Sequence, residues 1–302
     1  MENIIEISNL NKSFKDVKAV DNLSFHVKKK EFFAFLGING AGKSTTISIM
    51  CGTLRKDSGI VKINGFDVNT EKEQIKKEIG VVFQESSLDK ILTVYDNLEY
   101  KASLYGITGK DFKERLEYLS TLFSFKELLK RTYGKLSGGQ KRKIDIARAL
   151  LHKPNILILD EPTTGLDPKT RQIVWNAINK IHQEEGLTVF LTTHYMEEVV
   201  DANYVIILDS GRIKASGTPL ELKNKYTGDY IYLYNPKMED IEKLNVKFEK
   251  IPDGVKIEVA NTQEATKLII DYPSIFKDYE VIKGKMDDVF LSVTGKKLET
   301  EN

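Results

Sequence analysis

"EFFAFLGINGAGKSTTISIMCG", residues 31–52, decides the fold. Residues 31–37 form a short apolar run ending in glycine, which reads as a buried strand. A glycine loop follows, then a helix that keeps Ile47, Met50 and Leu54 on one face. Residues 37–44 fit the pattern G-x-x-x-x-G-K-[ST]. A loop that cradles phosphate must turn its backbone N–H groups inward, and glycines permit both the dihedrals and the close approach. The helix beginning near Gly42 aims the positive end of its dipole at the same anion. Lys43 is expected to reach the β- and γ-phosphates, and Ser44 to offer its hydroxyl to Mg²⁺. An ordinary glycine turn is the alternative, but it does not call for the strand before and the helix after.

"PNILILDEP" (154–162) supplies a partner element. Four apolar residues bury a strand and deliver Asp160 to its carboxyl end, where ligands of open α/β sheets bind. Asp160 can hold the shell of Mg²⁺, and Glu161 beside it can polarise an attacking water. "LTVFLTTH" (187–194) is a further buried strand, and "NYVIILDSGRI" (203–213) reads as a strand, a turn at Ser210-Gly211 and a returning strand. Residues 168–184 are expected to be a helix with Ile173, Ala177, Ile178 and Ile181 inward. Strands alternating with helices argue for a mostly parallel sheet covered on both faces.

Two stretches break that rhythm. Residues 85–143, rich in Leu, Tyr and Phe, read as an inserted helical subdomain. After about residue 225, strand-like "DYIYLY" (229–234) and "GVKIEVA" (254–260) and helical "NTQEATKLII" (261–270) read as a small α+β appendage. The expected division is therefore 1–225 and 226–302.

Composition narrows the function. The chain has 302 residues, 41% hydrophobic, and a net charge of +1 from 45 basic and 44 acidic residues. Residues 1–225 carry 34 basic and 29 acidic residues, and the remainder 11 and 15. Neither part has the positive bias that nucleic-acid binding leaves, so no nucleic-acid partner is expected. One cysteine, Cys51, cannot form an internal disulfide; it fits a reducing compartment and reads as core packing. "MENIIEISNL" has acids and no apolar core, so it does not read as a signal peptide. No apolar run approaches the roughly 18 residues a membrane span needs, so any work at a membrane needs other chains to do the spanning.

"GKLSGGQKRKIDIARAL" (134–150) poses a question of charge. Ile144, Ala147 and Leu151 fall at helical spacing, Ser137 sits where an N-cap belongs, and Gln140 completes a capping box. Lys141, Arg142 and Lys143 then follow at the end of the helix that is already the positive pole of its dipole. Such an end is built to meet something negative.

With the glycine loop, "ILILDE" and "LSGGQ" in one chain, residues 4–220 closely resemble the nucleotide-binding subunits of ATP-binding-cassette (ABC) transporters. "GINGAGKST", "VVFQE", "LSGGQ", "LILDEP" with "GLDP", and "TTH" occur in family order at family-like spacing. The resemblance implies an α/β P-loop NTPase fold with a mostly parallel sheet, an N-terminal antiparallel β part, the helical insertion and the C-terminal α+β appendage. It implies that Gly37, Asn39, Gly40, Ala41, Gly42, Lys43, Ser44 and Thr45 bind ATP. Phe14 takes the place of the aromatic that stacks on adenine; the family often has Tyr there, and Phe keeps the π face. Gln84 matches the glutamine that contacts Mg²⁺ and the attacking water, Glu161 the catalytic base, and His194 the histidine on the γ-phosphate. Ser44, Gln84 and Asp160 are then the Mg²⁺ residues. In the family two copies pair head to tail, so Ser137, Gly138, Gly139 and Gln140 would meet the ATP held by the opposing P-loop. Asp167 matches a dimer-interface aspartate and is also a good N-cap before Pro168. The cations 141–143 are expected to face solvent or a partner chain rather than the phosphate.

"KMDDVFLSVTGKK" (285–297), "TTGLDPKTR" and "TTHYMEEV" resemble the ATPase subunits of drug- and antibiotic-exporter systems, whose permease is a separate polypeptide. Gln140 departs from the Met often found there. The tail reads in any case as an amphipathic helix with Met286, Val289, Phe290 and Val293 on its apolar face. The resemblance thus implies an ATP-hydrolysing subunit peripheral to the cytoplasmic face of the cell membrane. Its partners would be an integral-membrane permease and a second cassette, identical or paralogous. An importer ATPase shares the catalysis, though its appendages differ. Among non-transport ABC proteins, a DNA-maintenance ATPase would insert a long coiled coil, and a translation-associated one would carry two cassettes.

Overall fold

The computed structural model describes residues 2–296. Residues 297–302, which end both the expected appendage and the 285–297 stretch, lie outside the described residues. The chain divides into two compact units, 1–195 with 201–213, and 196–200 with 214–302.

The first unit holds a four-stranded sheet and a six-stranded one, of whose last strand only Arg212 and Ile213 belong to this unit. β1 (Asn3–Phe14) and β2 (Val17–Lys28) pair antiparallel, and β4 (Ser58–Ile63) and β5 (Phe66–Asp67) extend them in the order β2-β1-β4-β5. Ile5, Ile7 and Leu10 of β1 are buried, and a register shift between Ile7 and Leu10 passes through Asn9 at φ 49. The second sheet has the order β10-β9-β3-β8-β7-β6. Its members are β3 (Phe32–Leu36), β6 (Ile79–Val82), β7 (Ile156–Asp160), β8 (Thr188–Thr193), β9 (Tyr204–Asp209) and β10 (Arg212–Gly217). The pairings from β9 through β6 are parallel. Every residue of β3, β7 and β8 is buried, as continuous apolar strands covered on both faces must be. Phe25 of β2 stacks on Phe33 of β3 at 5.4 Å between ring centroids, which joins the two sheets into one core.

Helices α1 (Lys43–Met50), α2 (Lys72–Glu78), α3 (Val94–Ser103), α4 (Gly109–Leu122), α5 (Gly138–Ala149) and α6 (Pro168–Glu185) complete this unit. α5 runs close to β6: a Cβ built on Gly80 would stand 2.1 Å from the Ala149 carbonyl oxygen. α6 opens with Asp167 as N-cap and Pro168 in its first turn, and ends at Gly186 in the left-handed region, φ 68. Its buried face is Val174, Ala177, Ile178 and Ile181. The expected Ile173 is only half-buried; successive helical residues turn by about 100°, which brings Val174 to the centre of the face.

The second unit contains α7 (Pro219–Tyr226), β11 (Asp229–Tyr234), α8 (Met238–Lys243), β12 (Phe248–Ile251), β13 (Gly254–Val259), α9 (Thr262–Asp271), β14 (Tyr279–Lys283) and α10 (Met286–Thr294). β11 to β14 make a β-α-β-β-α-β motif with antiparallel pairs in the order β12-β13-β11-β14. Ile231, Leu233, Val255, Ile257 and Val259 form its core with Ile241 of α8 and Ala265 of α9. α10 is the amphipathic tail helix, with Met286, Val289 and Phe290 buried and Val293 half-buried.

Candidate active site

β3 ends at Leu36 and the chain turns through residues 37–42 into α1. Gly42 is required twice over: its φ is 104, and a Cβ there would stand 2.3 Å from the Ala19 carbonyl oxygen. Gly40 is also at positive φ, 80. α1 has no acidic residue in its first turn and no side-chain cap, so its leading N–H groups are free to meet an anion. Gly37 and Ala41 are buried, Thr45 half-buried, and Asn39 and Ser44 exposed. The Lys43 ammonium donates to the carbonyls of Gly37 at 2.6 Å and Ile38 at 3.2 Å, and lies 3.4 Å from Glu161 Oε1. Burial pushes the pKa of Lys43 down, and the Glu161 carboxylate opposes that shift.

β7 delivers the acids. Asp160 is buried, and its Oδ1 accepts a 2.6 Å hydrogen bond from Thr192 Oγ1 on β8. Glu161, the next residue, is a non-glycine at φ 47. This turn swings its carboxylate into a cluster. Gln84 Nε2, from the loop after β6, donates to Oε2 at 3.1 Å, and His194 Nδ1, from the end of β8, lies 3.5 Å from the same oxygen. Among the described residues that buried His194 nitrogen has no hydrogen-bond partner. Lys43, Gln84, Glu161 and His194 thus converge at the carboxyl ends of β3, β6, β7 and β8, the crevice where open α/β sheets bind ligands.

The residues of the LSGGQ stretch form a second cluster. Ser137 Oγ accepts from the Gln140 N–H at 3.3 Å, and Gln140 Oε1 accepts from the Ser137 N–H at 3.0 Å, closing the capping box of α5. A Cβ on Gly138 would meet open space, while one on Gly139 would stand 3.1 Å from the Thr170 methyl. Asp167 accepts from the Thr170 N–H at 3.0 Å and its hydroxyl at 2.6 Å, which holds its carboxyl below the usual range. The N-termini of α5 and α6 therefore lie side by side. Phe14, at the end of β1, is 47% exposed rather than part of the core. Lys12 lies 5.4 Å from its ring centroid and pairs with Asp57 at 2.7 Å, which also accepts from the Ser13 N–H.

The cations of α5 behave differently from expectation. Lys141 lies 5.9 Å from the Tyr133 ring centroid, but Lys143 is buried and donates to the Ser124 carbonyl at 2.9 Å. Arg142 turns inward and donates to four backbone carbonyls. Their anionic partner is in part the main chain: orphan C=O groups at the ends of strands and helices carry the negative partial charge. Thr192 carries no mark of its own in the sequence, where it is one residue of the strand-like stretch 187–194. Cys51 packs against the core, and burial pushes its thiol up to about 12.

This crevice, with its glycine loop, buried lysine and paired acids, defines an α/β nucleotide-binding fold of the ATP-binding-cassette type. Residues 20–164 match the family described as "ABC transporter". The chain is 39% identical over 228 residues to the probable multidrug ABC transporter ATP-binding protein YbhF of Escherichia coli, covering 76% of this chain and 39% of that one. Thus it spans well under half the length of that relative. It is 38% identical over 229 residues to the linearmycin resistance ATP-binding protein LnrL of Bacillus subtilis (76% and 73% covered). It is 32% identical over 307 residues to the Nod factor export ATP-binding protein I of Burkholderia pseudomallei (97% and 98%). Among solved structures, an ATP-binding subunit of an ABC transporter superimposes with a TM-score of 0.69 at 28% identity, over 74% of this chain and 93% of that one. A dimeric post-hydrolysis state of the cassette MJ0796, bound to ADP and Pi, gives 0.66 at 27% identity, over 71% and 98%. The chain belongs to the family of ABC transporter ATP-binding proteins.

Proposed function

We propose that this chain hydrolyses ATP to ADP and phosphate, and so drives a separate membrane permease that exports drugs, antibiotics, lipids or similar compounds. The observation that carries the catalytic reading is the Glu161 carboxylate, held at φ 47 with Lys43, Gln84 and His194 all within 3.5 Å. The leading N–H groups of α1 and Lys43 bind the β- and γ-phosphates. In doing so Lys43 exchanges the carbonyls of Gly37 and Ile38 and the Glu161 carboxylate for phosphate oxygens. Glu161, released from its cation, accepts a proton from the attacking water, while Gln84 and His194 orient water and phosphate. Phe14 offers its exposed ring to adenine.

The donor set suits Mg²⁺: a carboxylate oxygen of Asp160 not engaged by Thr192, the exposed Ser44 hydroxyl and the Gln84 amide oxygen are all hard oxygens. Bound there, the ion would neutralise charge developing on the phosphates.

Ser137, Gly138, Gly139 and Gln140, with Asp167 beside them, face the nucleotide of a second cassette, identical or paralogous. In this reading residues 1–225 carry the nucleotide chemistry and 226–302 an accessory role. Among the described residues no helix is long and apolar enough to cross a membrane; the permease would span it, with this chain at its cytoplasmic face. The names of the multidrug, linearmycin-resistance and Nod-factor-export relatives support export over import.

Three measurements test the proposal. ATPase activity per milligram should rise with protein concentration, as a shared site demands; a constant value would rule out sandwiched catalysis. Glu161→Gln should bind ATP, accumulate as a dimer on size-exclusion chromatography and lose at least about a hundredfold in kcat. Wild-type turnover in that variant would remove Glu161 from its role. For transport, an integral-membrane protein should co-purify from solubilised membranes.

A further inference from the structure

Arg142 is the residue whose surroundings the proposed function does not use. It lies in the second turn of α5, and its guanidinium points away from solvent toward the ends of two strands. Nε donates to the Pro162 carbonyl at 2.6 Å, and Nη2 to those of Asp160 at 2.9 Å and Glu161 at 2.8 Å. Nη1 donates to the Phe83 carbonyl at 2.5 Å. Three consecutive carbonyls, 160 to 162, converge on one side chain, around the positive φ of Glu161. The fourth belongs to the residue just before Gln84. One planar fork therefore holds the backbone of Glu161 and the peptide unit that leads into Gln84, and the side chains of those two residues meet at 3.1 Å in the crevice.

The same fork ties them to α5. Farther along that helix Arg148 donates to the Val81 carbonyl at 2.6 Å and pairs with Asp145 at 3.1 Å. α5 is thus joined to β6 and its exit loop at two levels, by Arg148 and by Arg142. Burial draws the pKa of Arg142 down while the carboxylates of Asp145 and Asp160 oppose it, and a guanidinium stays charged throughout. Strand-end carbonyls are the natural partners of such a buried cation.

We propose that Arg142 is a positioning residue for hydrolysis. It links the N-terminus of α5, where Ser137 and Gly138 await the opposing nucleotide, to the placement of Glu161 and Gln84 in its own chain's site. Seating of α5 on the partner's phosphate is thereby felt at this chain's catalytic base. The proposal rests on the ATP-hydrolysis reading above. A lysine cannot replace the fork, because a point ammonium cannot reach four carbonyls in one plane.

The test is steady-state ATPase kinetics on the full chain, alongside titration with a fluorescent ATP analogue. Arg142→Ala should lower kcat at least about tenfold while leaving KM and analogue affinity within about threefold, since a small misplacement of a base costs rate rather than binding. Millimolar guanidine should restore part of the lost kcat, which a merely destabilised protein would not show. A kcat within twofold of wild type would overturn the proposal. If Arg142→Ala does not fold, Arg142→Lys, which keeps the stem and the charge, carries the same test with the same threshold. Glu161→Gln is assayed in parallel: wild-type turnover there overturns the hydrolysis reading itself, whatever Arg142 does.

Discussion

Glu161 and Lys43 show what single residues contribute. The left-handed backbone at Glu161 costs roughly 1 kcal/mol or more in a non-glycine residue, and charge-assisted hydrogen bonds from Arg142 to its own and neighbouring carbonyls offset it. Lys43 is buried among two carbonyls and one carboxylate, so its removal leaves Glu161 as a buried carboxylate facing a vacated site. Lys43→Ala is expected to weaken ATP binding at least tenfold, about 1.4 kcal/mol, measured by isothermal titration calorimetry; unchanged affinity would contradict the phosphate reading. At Phe14 the ring matters more than the hydroxyl. Phe14→Tyr should bind ATP like wild type, whereas Phe14→Ala should lose about 1 kcal/mol from lost stacking. The candidate site residues 37–45, 160 and 161 were legible in the sequence, because their spacing alone brings a lysine, a hydroxyl and two acids to strand ends. Arg142 was legible only as an oddity, a cation at the wrong pole of a helix. Its direction depends on how α5 is rotated against β6, which no local pattern encodes.

At the scale of elements, close packing and capping set α5 and α6. Gly80 lets β6 run against the last turn of α5, with the Ala149 carbonyl where a Cβ would lie. Gly80→Ala is therefore expected to destabilise by about 1–3 kcal/mol or more through overpacking, seen as a lower urea midpoint with an unchanged slope. Asp167 satisfies the Thr170 N–H at the head of α6. Asp167→Ala should cost about 1 kcal/mol; Asp167→Asn, which keeps an acceptor, should recover most of it in the same denaturation assay. The buried strands β3, β7 and β8 were readable because strands covered on both faces are near-continuous apolar runs. Ile173 sits beside the inward face of α6 rather than on it, and an apolar residue there looks the same in sequence as one on the face.

Across the whole molecule, pH exposes the cost of burying a titratable group. His152 stacks on Tyr105 at 3.9 Å between centroids, its Nε2 lies 3.1 Å from the Ile79 carbonyl oxygen, and burial pushes its pKa down to about 4. The unfolded chain takes up this proton near pH 6.5, the folded chain only near pH 4. The depressed folded value means that the contribution is fully present above pH 6.5 and is lost as pH falls from there to about 4. The midpoint of thermal unfolding should drop by several degrees across that window. His152→Gln should flatten that part of the profile; an unchanged slope would show that other groups set it.

Residue types and spacings alone determined the class of this protein: glycines, lysine, serine and strand-borne acids in one order permit few chemistries, and backbone periodicity places them on a parallel sheet. Tertiary structure alone decided which way each polar side chain turns. The four-carbonyl grip of Arg142, the hydrogen bond from Thr192 to Asp160 and the pairing of Lys43 with Glu161 all join segments far apart in the chain. Such contacts arise only when separate elements pack and bury groups that must then find partners among whatever the fold has brought near.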